Sequence, residues 1–492
     1  MLLRDLLSPL LAKKVRGDED IEITGLTADS RQVKPGYLFF CITGYTVDGH
    51  AFARQAVERG AAAIVAERDL DTTATLVTVS DSRRAMALLA DRFYGSPTRA
   101  LKLIGVTGTN GKTTTTHLID RIFRDQNKRT GLIGTIHMRI GDVYEEVKNT
   151  TPDVIDLQRS FRRMCDCQTD YAIFEVSSHA LEQGRVRGCD IHIAVFTNLT
   201  QDHLDFHKTM DNYRHAKSLL FAQLGNSYQP DRMKTAVLNA DDEASRLFAR
   251  VTAARVLTYG IDQEADVRAR EISVTSKGTS FVAETFAGTM PFHLKLMGKF
   301  NVYNALAAIA VGLAEGVELA QIKASLEAVP GVSGRFEPVD EGQPFSVLVD
   351  YSHTPDSLEN ALVTIREFAQ GNVLCVVGCG GDRDRGKRPI MAKIATKYAD
   401  WTVITSDNPR SEDPQAIIDD MLAGLSEQDA GRYTAVPDRR EAIFAAVSRA
   451  KPGDVILIAG KGHETYQIIG DQVLHFDDRE VAREAIARFC RE

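Results

Sequence analysis

The stretch from Leu101 to Phe123 constrains this chain more than any other. An apolar strand, Leu101 to Val106, runs into Gly108-Thr109-Asn110-Gly111-Lys112-Thr113-Thr114. A helix follows, with Leu118, Ile119, Ile122 and Phe123 at helical spacing. A glycine-rich turn between strand and helix lets backbone N–H groups and the positive end of the helix cradle a phosphate. Lys112 would reach the terminal phosphates and Thr113 would hold Mg²⁺. The general pattern places a glycine five positions before Gly111; position 106 is Val, so this is a shorter loop, closed by Gly108.

Further strands read at Leu132-Ile133-Gly134, Ala172 to Val176 and Ile191 to Phe196, which predicts a mostly parallel sheet with helices on both faces. Before this region, Ile21 to Thr24 and Tyr37 to Phe40 read as short strands and Ala51 to Arg59 as a helix. After it, strands at Ser346–Val349, Val373–Val377, Thr402–Thr405 and Val455–Ala459 alternate with helical stretches. Ser96-Pro97-Thr98 and Gly331-Val332-Ser333-Gly334 punctuate the chain. The expected organisation is α/β in three domains: 1–98, a small α/β module; 99–334, a central phosphate-loop sheet; and 335–492, a Rossmann-like domain.

Polar clusters follow the strands of the last region: Asp350-Tyr351-Ser352-His353, Gly380-Gly381-Asp382-Arg383, Asp407-Asn408-Pro409-Arg410 and Gly460-Lys461-Gly462-His463-Glu464. Open α/β sheets bind ligands beyond the carboxyl ends of their strands, so these clusters define one face and one site. Arg383, Arg385, Lys387, Arg388 and Arg410 concentrate there. Arginine binds carboxylates through a fixed fork, and Glu464 and Asp407 can take an ammonium, which describes a pocket for a zwitterion.

Composition narrows the function. Lys+Arg 59 against Asp+Glu 67 leaves −8, which argues against non-specific nucleic-acid binding. The seven cysteines are scattered with no CxxC pair, so neither a disulfide framework nor a structural zinc is expected. The first residues are too broken for a signal peptide. The longest apolar run, Ala305 to Ala314, is about half of the ~20 residues a membrane span needs. A soluble, cytoplasmic chain with no membrane insertion is expected. Two further stretches suggest metal chemistry: Glu175-Val176-Ser177-Ser178-His179 at a strand end, and Asp202-His203-Leu204-Asp205-Phe206-His207. Lys217, by itself, reads as a surface lysine.

These motifs together resemble the Mur ligases, the ATP-dependent amino-acid ligases of peptidoglycan precursor synthesis, over the whole length. Asn301-Val302-Tyr303-Asn304, Gly334-Arg335 and Asp350 to Pro355 look like the family's later signatures. Asp407 to Arg410 is similar to the acceptor motif of the branch whose amino acid is meso-diaminopimelate. The resemblance implies ATP held by Gly108, Thr109, Asn110, Gly111, Lys112, Thr113, Thr114, Asn301, Asn304, Arg335, Asp350 and His353. It implies a UDP-N-acetylmuramoyl-L-alanyl-D-glutamate substrate on Ala28, Ser30, Tyr45, Thr46, Val47, Asn149, Thr150, Thr151, Ser177, Gln183 and Arg185. It places diaminopimelate on Arg383, Asp407, Asn408, Pro409, Arg410, Gly460 and Glu464. Mg²⁺ would lie near Thr113, Glu175, His203 and a carbamate on Lys217, with Lys112, Lys217 and His203 in catalytic roles. Nothing resembles an assembly motif, so a monomer is expected. A lysine-adding ligase, a folate polyglutamate synthase and a non-ligase phosphate-loop ATPase remain alternatives on the residues alone.

Overall fold

A computed structural model describes residues 1–44, 47–225, 232–275 and 277–489. The chain divides into two compact units. The first comprises Met1–Gly105, Asn127–Ala194 and Ala222–Lys234, the second Val106–Gln126, Val195–Phe221 and Thr235–Glu492.

In the first unit a five-stranded sheet runs in the order Lys14–Arg16, Thr75–Thr78, Ala63–Ala66, Tyr37–Phe40, Gly25–Thr27. It is parallel except for the Lys14–Arg16 edge. Its inner strands are buried on both faces, as parallel strands covered by helices must be. Leu38, Phe40, Val65 and Val77 pack against Leu3, Leu6 and Leu89 on one side. Phe39, Ile64 and Leu76 pack against Ala53 and Ala56 on the other. The expected strand at Ile21–Thr24 does not join this sheet. Its backbone pairs with the N-terminus instead, Leu3 N donating to Ile21 O (2.9 Å) and Ile23 N to Met1 O (2.8 Å). The expected helix 51–59 appears as a 3₁₀ turn, Gly49–Phe52, running into Ala53–Glu58. Also in this unit, Tyr171–Glu175 lies parallel to Thr130–Ile133, which continues antiparallel into Met138–Ile140 and Val143–Glu145.

In the second unit the helix Lys112–Asp125 follows the glycine-rich loop. Strands Thr235–Asn239, Arg255–Gly260 and Val267–Thr275 are parallel, but Gly278–Thr285 and Gly288–Leu294 turn the sheet antiparallel. The apolar run near residue 310 is the helix Lys299–Ala314, buried along most of its surface. Among the described residues no helix is long and apolar enough to cross a membrane.

The rest of the second unit is a six-stranded sheet in the order Glu337–Pro338, Ser346–Asp350, Val455–Ala459, Val373–Cys379, Trp401–Ser406, Tyr433–Ala435. All pairs but the first are parallel. Separate apolar cores cover its two faces. The four polar clusters stand immediately beyond its strand ends, on one edge, as the alternation in the sequence predicts.

Beneath that edge lies a fully buried ion pair. Arg439 Nε and Nη2 donate to Asp478 at 2.8 and 2.7 Å, and Nη2 also donates to Ala459 O at 3.0 Å. Both side chains are 0 % exposed. Removing one partner strands a buried charge, so Asp478→Ala should lower unfolding stability by about 3–5 kcal/mol, measured by urea titration.

Candidate active site

The glycine-rich loop is pinned by the segment that follows the strand Ile191–Phe196. Thr109 N donates to Asn198 O at 2.8 Å and Asn110 N to Asn198 Oδ1 at 2.9 Å, while Thr197 Oγ1 donates to Asn110 O at 2.6 Å. Gly111 caps the helix with φ +85°, where an L side chain is strained, and a Cβ there would overlap Asn304 Oδ1. Asn304 is held in place by Asn301, its Nδ2 donating to Asn301 Oδ1 at 3.0 Å. Lys112 Nζ donates to the carbonyls of Gly108 and Thr109, each at 2.8 Å.

A cavity of about 330 Å³ opens at this loop. Asn110, Gly111, Thr114, Asn304, Arg335 and Asp350 line it, all anticipated from the sequence. Gly108, Thr109, Lys112, Thr113, Asn301 and His353 are not among the residues that line it. Arg335 Nη2 donates to Thr113 Oγ1 at 3.1 Å, and its guanidinium lies 4.8 Å over the Tyr351 ring. Burial raises the Asp350 carboxyl, against the pull of Arg335. Asn198, Tyr303 and Asp356 also line the cavity; the sequence motifs contain the first two without assigning either a role, and Asp356 was missed. Asp356 accepts from Asn110 Nδ2 at 2.7 Å. Its signal was readable: Thr354 caps the helix Pro355–Phe368 with Ser357, which places Asp356 in the first turn.

Lys217 is 1 % exposed, not a surface lysine. The helix Met210–Ala222 buries Tyr213, Ala216, Lys217, Leu220 and Phe221, so Lys217 falls on an apolar stripe that the sequence spacing contained. Its Nζ donates to Gly108 O at 2.9 Å and lies 4.4 Å over the Tyr213 ring. Burial and the neighbouring Lys112 hold it well below the usual lysine range, favouring an uncharged amine. Nearby, Asp202 Oδ2 lies 3.2 Å from His203 Nε2 and 3.9 Å from His353 Nε2, and Asp202 Oδ1 lies 3.9 Å from Lys387 Nζ. Burial works to raise the Asp202 carboxyl, but these three groups hold it well below the carboxylate range. Burial pushes His353 down to about 4.

The residues expected to bind the UDP-linked substrate stand in the first unit, together with Glu175. Glu175 is fully buried, its carboxylate accepting from Thr135 N at 2.8 Å and Thr135 Oγ1 at 3.0 Å. Thr150 Oγ1 meets Thr135 Oγ1 at 3.1 Å, and Thr151 Oγ1 meets Ser177 Oγ at 3.3 Å. Arg185 donates to Thr151 O and to Gln183 Oε1, both at 2.9 Å. The structure thus gathers Thr150, Thr151, Ser177, Gln183 and Arg185 with Glu175. Ala28 and Asn149 line a separate cavity of about 580 Å³, beside Arg31, Arg83, Lys148 and Arg159. Ser30 is buried and donates to Gln55 at 2.6 Å. Val47 is exposed. Tyr45 and Thr46 lie outside the described residues.

At the sheet edge of the second unit, Arg410 adopts φ +53°. Its N donates to Ile468 O at 3.0 Å and its Nη1 to Gly381 O at 2.8 Å. Arg383 Nη1 donates to Asp382 O at 2.9 Å. Arg385 and the buried Arg388 are paired with acids instead, Arg388 with both Glu412 and Asp420. Arg388 holds the Glu412 carboxyl down to about 2. Asn408 Nδ2 donates to Glu464 Oε2 at 2.9 Å, and burial and Asp407 raise the Glu464 carboxyl. Pro409 and Gly460 flank this cluster, and a Cβ on Gly460 would crowd the Asp407 carboxylate.

A phosphate loop and an amino-acid-shaped charge cluster on one α/β unit define a class of ATP-using ligase. Three stretches match Mur ligase profiles: 22–94 the family's catalytic domain, 106–312 the middle domain, and 334–462 the glutamate ligase domain. The chain belongs to the Mur ligase family. It is 59 % identical over 486 residues, 99 % of this chain and 98 % of the relative, to the UDP-N-acetylmuramoyl-L-alanyl-D-glutamate–2,6-diaminopimelate ligase of Bacillus cereus. It is 57 % identical, over 96 % of this chain and 95 % of the relative, to the protein of that name from Listeria monocytogenes. A solved ligase of that name superposes over all of both chains with a TM-score of 0.70 and 34 % identity. A Mycobacterium tuberculosis folylpolyglutamate synthase complexed with ADP and AMPPCP shares the fold at 19 % identity, over 84 % of this chain and 95 % of the other, with a TM-score of 0.64.

Gly111→Ala should weaken ATP binding by at least about tenfold in isothermal titration, because the left-handed strain and the displaced Asn304 together exceed ~1.4 kcal/mol. The melting temperature should change by only a few degrees.

Proposed function

We propose that this chain is an ATP-dependent amide-forming ligase that adds meso-2,6-diaminopimelate to UDP-N-acetylmuramoyl-L-alanyl-D-glutamate in peptidoglycan precursor synthesis. The observation that carries the reading is the pairing of near full-length identity to ligases of that name with the Asp407–Arg410 cluster at the sheet edge. The proposed domains are 1–98 for the UDP end, 99–334 for ATP and 335–492 for the amino acid. A cytoplasmic monomer is the proposed working form.

The D-glutamate γ-carboxylate attacks the γ-phosphate of ATP, giving an acyl phosphate and ADP. The amine of diaminopimelate then attacks the acyl carbon and phosphate leaves. Catalysis here is positioning and charge neutralisation. Lys112 exchanges its two loop carbonyls for the terminal phosphates. Asn304 and Arg335 border the nucleotide cavity, and Asp350 orients the Phe336 amide at 2.8 Å. Among the described residues no three His, Cys, Asp or Glu side chains gather as a metal cage. Mg²⁺ commonly binds through one or two protein oxygens plus phosphates and water, and the Thr113 hydroxyl at the helix start fits that role. Bound there, it would neutralise the charge of the transferring phosphoryl group. Lys217, buried and favoured as an uncharged amine, is the proposed carbamate. In that form it would offer an anionic oxygen pair beside Gly108. His203 is paired with Asp202, and its ring lies 6.1 Å from that of Tyr213, over which Lys217 sits.

The acceptor end explains selectivity. Diaminopimelate carries a carboxylate that L-lysine lacks, and Arg410 with Arg383 would bind it. An acceptor without it leaves those guanidiniums without that partner, a mismatch that polar sites punish by factors up to ~10⁴–10⁵.

Phosphate release should require the UDP-dipeptide and occur with meso-diaminopimelate but not L-lysine; release with neither acceptor would sink the reading. Arg410→Ala should cut kcat/KM for diaminopimelate by at least about 10³ while ATP affinity stays unchanged. Lys112→Ala should lower turnover by about two orders of magnitude or more with both substrates saturating.

A further inference from the structure

Asp241 stands just beyond the strand Thr235–Asn239, and its carboxylate is crowded with donors. Oδ2 accepts from Ile261 N at 2.6 Å and Asp262 N at 3.0 Å, and Oδ1 accepts from Gln263 N at 2.6 Å. A further donor is the Tyr303 hydroxyl, 2.8 Å from Oδ2. Backbone amides can only donate, so the carboxylate they meet is held ionised and can only accept. Burial works to raise the Asp241 carboxyl, but the three amides and the phenol hold it below the usual range. Burial and Asp241 push the Tyr303 phenol well up, so it keeps its proton. The direction of the bond is therefore fixed: the phenol donates and Asp241 accepts.

Tyr303 belongs to the helix Lys299–Ala314, one residue before the Asn304 that closes against Gly111. It lines the nucleotide cavity from outside the phosphate loop, as Asn239 and Phe300 do. Phosphates belong on the loop, where amides and a helix N-terminus gather. The nucleoside then falls to the lining that the loop does not supply. Asn239 is already committed there: its Nδ2 donates to Thr197 O at 2.7 Å and its Oδ1 accepts from Asp241 N at 3.1 Å. Lys299 stands 3.5 Å from Asp262. Tyr303, its one proton spent on Asp241, brings a hydrogen-bond acceptor.

Purine bases differ in what they offer such a group. Adenine carries an amino group at C6, a donor; guanine and hypoxanthine carry a carbonyl there, an acceptor. An oxygen that can only accept bonds the first and meets the lone pairs of the second. Turning the phenol round to donate would strip Asp241 of a donor, and an unmade bond at a buried polar group costs more than a made one returns.

We propose that Tyr303 is a specificity-determining residue for the nucleotide: its phenol, committed as a donor to Asp241, accepts from the C6 amino group of adenine and refuses the C6 carbonyl of hypoxanthine or guanine. This deepens the reading of the cavity as the ATP site and rests on it. Asp241 is the positioning residue that fixes the sense of the phenol.

The test uses the full-length enzyme, wild type and Tyr303→Phe, with ATP, ITP and purine riboside triphosphate, whose C6 carries only hydrogen. Affinity is read by isothermal titration, and kcat/KM by phosphate release with the UDP-linked substrate and diaminopimelate saturating. Wild type should prefer ATP over ITP by at least about tenfold, with purine riboside triphosphate between them. Tyr303→Phe should shrink the ATP-to-ITP ratio at least about threefold and bring ATP down to the level of purine riboside triphosphate. A phenol that only braced Asp241 would weaken all three nucleotides alike and leave their ratios where they stood. Should Tyr303→Phe show no cooperative melting transition, wild type alone decides, because ATP must still exceed purine riboside triphosphate and that in turn ITP. A smaller ATP preference in wild type, ATP no better than purine riboside triphosphate, or a smaller shrinkage in Tyr303→Phe overturns the proposal and leaves the ligase reading standing. Wild-type enzyme that binds none of the three overturns the reading of the cavity as the ATP site as well.

Discussion

Two amines converge on one carbonyl oxygen: Lys112 Nζ at 2.8 Å and Lys217 Nζ at 2.9 Å both donate to Gly108 O. Much of the nucleotide end depends on that crowding. Two ammonium charges crowded on one carbonyl in a buried setting repel, which disfavours the charged form of the more buried one. Lys217, the more buried, is held well below its usual range with Lys112 as a cause second only to burial. The resting loop thus stores a cation that wants an anion and an amine that can become one. In the proposed function phosphate would supply the first need and carbamylation the second.

The loop tolerates this only because it is clamped from outside its own sequence. Asn198 accepts from the Thr109 and Asn110 amides, Thr197 donates to the Asn110 carbonyl, and Asn304 closes the space a side chain at Gly111 would need. Asp356 reaches Asn110 from the start of another helix. Each clamp comes from a segment far along the chain.

That separation explains what was legible in the sequence. The strand–loop–helix at 101–123 and the four clusters after the later strands were readable because their signals are local: apolar runs, glycines and caps within a few residues. The antiparallel turn of Gly278–Thr285 and Gly288–Leu294 was not, since nothing local announces that a parallel sheet will change direction. Ile21–Thr24 misled because alternation reports a buried face, not which strand covers it. Asn198 and Tyr303 needed the fold to show that they line the cavity, whereas Asp356 left a local signal in its helix cap. Lys217 is the instructive case: its side chain type suggested the surface, while its spacing with Tyr213, Ala216, Leu220 and Phe221 placed it inside.

At the other end of the second unit the same logic runs with opposite sign. Arg388 is buried against Glu412 and Asp420, and Arg439 against Asp478, so these arginines hold the framework together. Arg383 instead donates to the carbonyl of its neighbour Asp382, and Arg410 to the carbonyl of Gly381 on the adjacent loop. A carbonyl is a weaker partner than a carboxylate, so in the proposed function these two guanidiniums would exchange it for a charged ligand. Arg410 is also held at φ +53°, a strained conformation costing about 1–3 kcal/mol, and the hairpin Tyr466–His475 fixes it by two backbone hydrogen bonds. The strain is met in folding rather than in binding. In the proposed function, a pocket prepared in this way would lose little when its ligand arrives and would discriminate by what the ligand fails to bring.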